Sequence, residues 1–500
     1  MPPLSIPLEP SITIFVGPNN AGKSQLLREI SGYCTQGSSH RLILDKVSFA
    51  AVDEVTAKTD LNGIKRIPSV GEGVHGDQVP VLLGGRNEYL HASHYLMGRQ
   101  KPNEHPNFFA KYHLADKTIV LDAKQRTSLL DSQGQGDLTR PHHPMAKLFR
   151  NDDKRVAWRN TVYDAVGLYP AITALQQGQL SVHFGASAPP DERTLREDIV
   201  EWVDSARSVG DVSDGVKAFS GILMQAHGGD PKVIFVDEPE AFLHPSIARR
   251  LGKELASAAR SEGKYVFVAT HSADFLMGAI QSGAIVNIVR LTYTNNVATA
   301  RLLRNQDLKI FMSDPMLRSV GVLSGLFFES VIVTEGDTDR AFYQEANERL
   351  LDEGDLRGVP HALFLNAGGH ASIPSIIAPL RQLGIPAASV VDLDILKNGQ
   401  NGWTKQITSC QLPEPQRAGL SNQRQIVLDA LVGAAPQGTE KPREYFKRYG
   451  GVALLDKQHH AVASDMFDIL DRYGLFVVRS GEVEAWLKHL CVPSKKDAWR

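Results

Sequence analysis

The chain has 500 residues, 42% of them apolar, with 54 basic side chains against 56 acidic ones and a formal net charge of −2; at about 150 residues per domain this makes about three folding units with sizeable cores. The near-neutral balance excludes a bulk basic field, so any nucleic acid must be met by local patches or by bound metal. Three scattered cysteines, Cys34, Cys410 and Cys491, form no CxxC pair, which argues against a cysteine zinc site or a disulfide framework and fits a reducing, cytoplasmic setting; no signal peptide or apolar run of 18 residues is found, so no membrane span is expected.

Ser11–Val16 is a short run of β-formers that leads into Gly17-Pro18-Asn19-Asn20-Ala21-Gly22-Lys23-Ser24, and residues 25–30 read as a helix. Strand, glycine-rich turn and helix together are the context of a phosphate-binding loop. The glycines let backbone N–H groups approach phosphates, Lys23 reaches the β- and γ-phosphates, Ser24 ligates Mg²⁺, and the helix adds its positive end. Gly17, Asn19, Asn20, Ala21, Gly22, Lys23, Ser24 and Gln25 are therefore expected to bind ATP. Residues 35–95 are turn-rich, and about 95–180 read as a helical insertion. Residues 180–184 look like a strand. Residues 191–208 look like an amphipathic helix carrying Leu195, Ile199, Trp202 and Val203 on one side. Val212-Ser213-Asp214-Gly215 then precedes a helix. Residues 233–236 are a continuous apolar run suited to a buried parallel strand. The run ends in Asp237, expected to hold Mg²⁺ through water, and Glu238, expected to polarise the attacking water. A helix over 246–262 and a second apolar strand over 265–269 follow. Thr270-His271 comes next, with His271 placed to contact the γ-phosphate. Residues 287–303 alternate around Thr294-Asn295-Asn296 as a hairpin.

A second β/α series begins after a connector. Its strands are expected at 330–334, 362–365, 388–393 and 475–478. The first ends in Glu335-Gly336, and the third carries Asp392-Leu393-Asp394. Residues i and i+2 of a strand share a face, so both aspartates can aim at one ion if the strand persists that far. Glu335 would complete a hard-oxygen site for Mg²⁺ or Mn²⁺. One such ion lowers the pKa of bound water, and two about 4 Å apart clamp both oxygens of a displaced phosphodiester. Residues 150–159 and 441–449 mix cations with aromatics and could meet phosphates, although solvated helix faces are the commoner reading.

Taken in order, the first set of motifs resembles the ABC-type ATPase head of SMC-like and RecF-like DNA proteins. That family's Leu-Ser-Gly-Gly-Gln signature is read, in degenerate form, at Val212-Ser213-Asp214-Gly215-Val216. The resemblance implies a head-to-head dimer in which Ser213 and Gly215 act on ATP bound by the other subunit. Gln78 and Gln100 both stand as candidates for the glutamine that follows the phosphate loop. The second set, with Asn366-Ala367-Gly368-Gly369 as its glycine turn, resembles the Toprim domain. The whole chain resembles the overcoming-lysogenization-defect (OLD) family of ATP-dependent nucleases. That resemblance implies two metals, with Asp339 as a further ligand and Ser480-Gly481-Glu482-Val483-Glu484 supplying Glu482 and Glu484. It also implies an assisting lysine, for which Lys488, Lys495 and Lys496 are candidates.

The expected fold class is therefore α/β: an ABC-type P-loop head over 1–305 with a helical insertion over about 95–180, a connector over 306–328, and a Rossmann-like Toprim domain over 329–500. The expected activity is that of an ATP-binding and ATP-hydrolysing, metal-dependent DNA endonuclease in anti-phage defence, with Glu238, His271, Glu335, Asp392, Asp394 and Glu484 catalytic. ATP and Mg²⁺ or Mn²⁺ would be its cofactors. Phage or plasmid DNA, a homodimer or higher oligomer through the heads, and an operon-encoded defence protein would be its partners. The alternative is an ATPase sensor or scaffold that oligomerises and holds an effector without cutting DNA.

Overall fold

Ser11–Val16 (β1) is buried at every position because it lies inside a six-stranded sheet. The computed structural model describes residues 3–6, 8–68, 72–83, 86–122, 125–176, 178–229, 231–303, 321–439 and 441–483. The chain divides into two compact units, Met1–Asn305 and Gln306–Arg500.

In the first unit the other strands of the large sheet are Thr118–Leu121 (β2), Val233–Asp237 (β3), Tyr265–Ala269 (β4), Val286–Thr294 (β5) and Val297–Leu303 (β6), in the spatial order β6-β5-β1-β4-β3-β2. All neighbours run parallel except β5 and β6, which form an antiparallel hairpin. The hairpin turns at Asn295 and Asn296, both left-handed with φ of 51° and 62°, the geometry a two-residue turn demands. The inner strands β3, over Val233–Val236, and β4 are unbroken apolar runs since helices cover the sheet. Lys23–Gln36 (α1) lays Leu26, Leu27 and Cys34 on Phe15, Phe235, Phe267 and Leu291. The phenyl rings of Phe15, Phe267 and Phe235 stack in sequence across three strands. Asp214–Gly228 (α2), Pro245–Ser261 (α3) and Ala273–Gln281 (α4) complete the elements that bear on the site.

Two expectations change here. The stretch 95–180 is not a purely helical insertion. It supplies β2, which pairs with β3 at the edge of the large sheet. It also supplies Tyr169–Thr173 and, with residues beyond 180, Gln179–Gly185 of a separate antiparallel sheet. The helix expected over 191–208 is confined to Glu197–Ser205. Glu192 is 1% exposed and ion-paired to Arg155 and Arg159, and the Asp191 carboxylate accepts the Arg193 N–H, so 191–193 is held as a turn. At the other end Arg207–Ser208 pairs with Gln179–Gly185 as a strand.

The second unit is built on a parallel four-stranded sheet, Ala362–Asn366 (β8), Ser330–Thr334 (β7), Ala387–Asp392 (β9) and Leu475–Val478 (β10) in that spatial order. Asp337–Asp352 (α5) and Ile373–Gln382 (α6) connect the first three strands. Between β9 and β10 stand Gln400–Ser409 (α7), Glu414–Gly433 (α8), Pro442–Tyr449 (α9) and Lys457–Arg472 (α10). A parallel sheet delivers every strand's carboxyl end to one edge, where ligands of such folds bind. Here that edge gathers Glu335, the turn after Asn366, Asp392 and the turn after Val478. Among the described residues no helix is long and apolar enough to cross a membrane.

Candidate nucleotide site and candidate metal centre

The loop after β1 takes φ values of 144° at Gly17, 61° at Asn20 and 88° at Gly22. A Cβ on Gly17 would stand 2.0 Å from the Leu291 carbonyl oxygen, so only glycine lets the loop pass β5. Asn19 and Asn20 are exposed at its crest, and Ala21 is buried under it. Lys23 is 5% exposed and donates from Nζ to the carbonyls of Gly17 at 2.9 Å and Pro18 at 2.7 Å. Burial lowers its pKa to about 8, against the opposing pull of Glu238, Asp237 and Glu240. Ser24 Oγ donates to Asp237 Oδ1 at 2.9 Å. The two expected magnesium ligands therefore meet at one point. Gln25 turns aside: its amide donates to Glu29, whose carboxylate also accepts from the N–H groups of Leu42, Ile43 and Leu44.

Glu238 follows β3 in the left-handed region, with φ of 51°. Its N–H donates to the Ala269 carbonyl. Its own carbonyl accepts from Arg126. Glu240 ties the ends of β3 and β4 together, accepting from Thr270 Oγ1 and from the His271 N–H, both at 2.7 Å. Burial, and secondly the charge of Lys23, hold the His271 imidazole below its ordinary pKa. Lys23, Asp237, Glu238 and His271 thus share one electrostatic environment. Ser213 caps α2 through the Val216 N–H, and Gly215 is packed so that a Cβ would meet the Phe242 carbonyl at 2.6 Å.

The pattern of the sequence missed Arg126, which donates to the Glu238 carbonyl. Neither Gln78, in a two-stranded sheet with residues 86–91, nor Gln100, at the end of a helix, adjoins β3 in the sheet. Gln125 and Arg126 follow β2, the neighbour of β3. Arg126 is fully buried. Its Nε and Nη2 have no hydrogen-bond partner among the described residues.

In the second unit, ligand atoms of Glu335, His370 and Asp394 all lie within 4.8 Å of one another. Glu335 Oε1 accepts the Asp392 N–H at 2.8 Å. Burial raises the Glu335 pKa to about 7, and the charges of Asp392 and Asp394 add to the rise. Lys447, on α9, puts Nζ 2.9 Å from Asp392 Oδ2 and 3.1 Å from Asp394 Oδ2. Burial opposes its charge, yet the two aspartates outweigh burial and raise its pKa above the lysine range. Lys397 stands 3.8 Å from the same Asp394 oxygen. Asp394 Oδ1 is buried with no hydrogen-bond partner among the described residues.

The two aspartates converge by a different route from the one their spacing suggests. β9 ends at Asp392, and Leu393–Lys397 is a 3₁₀ turn, so no strand face carries Asp394. The turn is set by the Leu393 N–H donating to the Gly481 carbonyl, and Gly481 packs so close that a Cβ would be 2.0 Å from the Lys447 carbonyl oxygen. Asp339 is 7% exposed and accepts the Gly336 N–H at 3.2 Å as the cap of α5; it is outside the three-residue cluster. Glu482 sits on the turn after β10, and its charge is felt at Lys397. Glu484, Lys488, Lys495 and Lys496 lie outside the described residues. His370 was not anticipated. Its one sequence signal is its place directly after the Asn366–Gly369 turn.

The fold and the two sites define a P-loop ATPase unit followed by a Toprim unit. Family models agree: residues 137–278 match the AAA domain family AAA_21, and residues 326–394 match the "Overcoming lysogenization defect protein-like, TOPRIM domain" family. The matched models thus give an ATPase-type domain followed by an OLD-like Toprim domain. It is 24% identical over 265 residues to the Old nuclease of Escherichia phage P2, a match covering 51% of this chain and 43% of that protein. It is 26% identical over 188 residues to Endonuclease GajA of Bacillus cereus (strain HuB5-5), covering 33% of this chain and 26% of that protein. The matches thus span less than half the length of these curated relatives. Among solved structures, an SMC head bound to the winged-helix domain of ScpA aligns with a TM-score of 0.35 and 12% identity over 61% of this chain and 93% of that one.

Proposed function

We propose that the chain is an ATP-binding and ATP-hydrolysing, divalent-metal-dependent DNA endonuclease of the OLD type, serving defence against phage. The observation that carries this reading is the convergence of Glu335, His370 and Asp394 within 4.8 Å at the carboxyl edge of a parallel sheet. The two carboxylates of this cluster suit a small divalent cation, and the Lys447 ammonium lying on Asp392 and Asp394 supports a need for positive charge there. Glu335, Asp392 and Asp394 would hold Mg²⁺ or Mn²⁺, with Asp339, Glu482 and Glu484 as further acids for a second ion. Bound metal supplies an activated water and neutralises charge on the phosphodiester. Glu335 holds Asp392 in place through its backbone bond, and Lys447 and Lys397 present ammonium groups where a DNA backbone would bring phosphate charge.

In the ATPase unit, phosphates would compete with the Gly17 and Pro18 carbonyls for Lys23. Ser24 and Asp237 would hold Mg²⁺, Glu238 would orient the attacking water, and His271 would sense the γ-phosphate. Two heads would close on ATP through Ser213 and Gly215, so nucleotide can gate cleavage by favouring one state over another. The test is incubation of supercoiled plasmid with Mg²⁺ or Mn²⁺, with and without ATP, using wild type, Glu335→Ala and Asp392→Ala. Nicking or linearisation by wild type alone is expected. Plasmid left intact by wild type in every metal and nucleotide state would refute the nuclease and favour a scaffold that holds a separate effector.

A further inference from the structure

We propose that His370 is a direct metal ligand, and that its imidazole makes the Toprim site selective for a first-row transition ion such as Mn²⁺ over Mg²⁺. The inference rests on the metal-dependent reading above and adds a nitrogen donor to a site otherwise read as all oxygen. His370 Nδ1 lies 3.9 Å from Glu335 Oε2, and its ring shares the 4.8 Å cluster with Asp394. Three donors no more than 4.8 Å apart lie within about 2.8 Å of a common centre, against ligand distances of about 2.1 Å for such an ion. Side-chain shifts of less than about 1 Å therefore close the three donors on one cation.

The backbone that carries the ring is pinned on both sides. Gly368 and Gly369, with φ of 69° and 129°, fold the chain back over the end of β7, and the Gly369 N–H donates to the Glu335 carbonyl at 2.7 Å. The carbonyl of His370 accepts the Gln406 side-chain amide from α7 at 2.6 Å. Gln406 is 1% exposed. These bonds fix the backbone from which the ring projects beside the Glu335 carboxylate. An independent sign of a cation site is the Lys447 ammonium bonded to both Asp392 and Asp394, which shows that these carboxylates recruit positive charge at this spot. Imidazole suits transition ions, whereas Mg²⁺ prefers oxygen donors and retained water. A nitrogen donor among carboxylates therefore discriminates against Mg²⁺ while remaining acceptable to Mn²⁺.

The experiment uses the full chain without nucleotide, loaded with substoichiometric Mn²⁺, and reads electron spin-echo modulation from directly bound ¹⁴N. Parallel titrations measure Mn²⁺ and Mg²⁺ affinities of wild type, His370→Gln and His370→Asn. The expected result is ¹⁴N modulation in wild type and its loss in both variants. Their Mn²⁺ affinity should fall about tenfold or more, the scale on which even outer-shell partners of a metal act, while Mg²⁺ affinity changes much less. Mn²⁺ bound without ¹⁴N modulation in wild type would overturn the role of His370 and leave the nuclease reading standing, and this arm needs no variant to fold. Modulation that persists in the variants would overturn it as well. Failure of wild type to bind Mn²⁺ at all would sink both.

Discussion

Replacing Glu335 by glutamine should stabilise the metal-free protein at alkaline pH and leave it unchanged at acid pH. The Glu335 carboxyl is buried beside Asp392 and Asp394, and its pKa rises from 4.5 to about 7. At about 1.4 kcal/mol per pH unit, ionising it in the folded chain costs about 3 kcal/mol. The sign follows from proton counting. Between pH 4.5 and about 7 the folded carboxyl keeps a proton that the unfolded one has lost, so stability falls as pH rises. The contribution is complete below pH 4.5 and gone above about pH 7. Glutamine keeps an oxygen to accept the Asp392 N–H and carries no charge. In EDTA above pH 7.5 the variant should therefore exceed wild type by up to about 3 kcal/mol, roughly 6–12 °C in the transition of a unit of about 200 residues.

Calorimetric melts at pH 5, 6, 7 and 8 measure the effect. Adding Mn²⁺ at pH 7.5 should reverse the order, since wild type gains binding free energy, about 2.7 kcal/mol at one hundred times Kd, and the variant gains far less. A Glu335→Gln variant that follows the wild-type pH profile in EDTA, or melts below wild type at pH 8, would refute the argument that this carboxylate is held against its own charge for the sake of a cation.

Other outcomes test the remaining geometry. Glu238→Gln should bind a fluorescent ATP analogue as wild type does and hydrolyse ATP about 10²-fold or more slowly, the range for loss of a general base; unchanged turnover would remove Glu238 from the reaction. Lys447→Met should leave Asp392 and Asp394 unneutralised, lowering stability in EDTA by about 1–3 kcal/mol, and should tighten Mn²⁺ binding in isothermal titration; weaker Mn²⁺ binding would show that the lysine is no competitor for the site. Gly481→Ala sets a side chain at a φ of 115° with its Cβ 2.0 Å from the Lys447 carbonyl and should cost about 1–3 kcal/mol or more. Gly438→Ala, also left-handed but with nothing within 4 Å, should cost visibly less, and equal melting temperatures would show that the close approach is relieved in solution.

Both sheets were legible because parallel strands buried on two faces must be continuous apolar runs, and because their carboxyl ends carry the acids. Val233-Ile234-Phe235-Val236 ends in Asp237, and Val331-Ile332-Val333-Thr334 ends in Glu335. The loop before Lys23 was legible because its glycine, lysine and serine stand at fixed spacing directly between a strand and a helix, although the contact that makes Gly17 obligatory, with the Leu291 carbonyl, lies far along the chain. β2 was hidden for the opposite reason. Thr118–Leu121 is four residues long inside a polar stretch, and only its pairing with β3, more than a hundred positions later, makes it a core strand. Arg126, whose guanidinium donates to the Glu238 carbonyl, was hidden with it.

At the candidate metal centre Asp392 and Asp394 do come together, both on Lys447, but not on the backbone their spacing suggests. A strand face was assumed, whereas a 3₁₀ turn held by the Gly481 carbonyl brings Asp394 round. His370 reaches the site on the turn after β8, its only local signal the Asn366–Gly369 turn before it, and Lys447 reaches it from α9, where no nearby residue names its partner. Lys447 makes the point physically. Read alone, the run 441–449 is a basic helix that could face phosphates. In the fold its ammonium bonds two carboxylates 53 and 55 positions away. A charged side chain can be read from sequence, but its partner is chosen by desolvation. Once Asp392 and Asp394 are drawn into a half-buried edge, leaving them without positive charge costs more than ordering a lysine, and the same imbalance is what gives a divalent ion its purchase there.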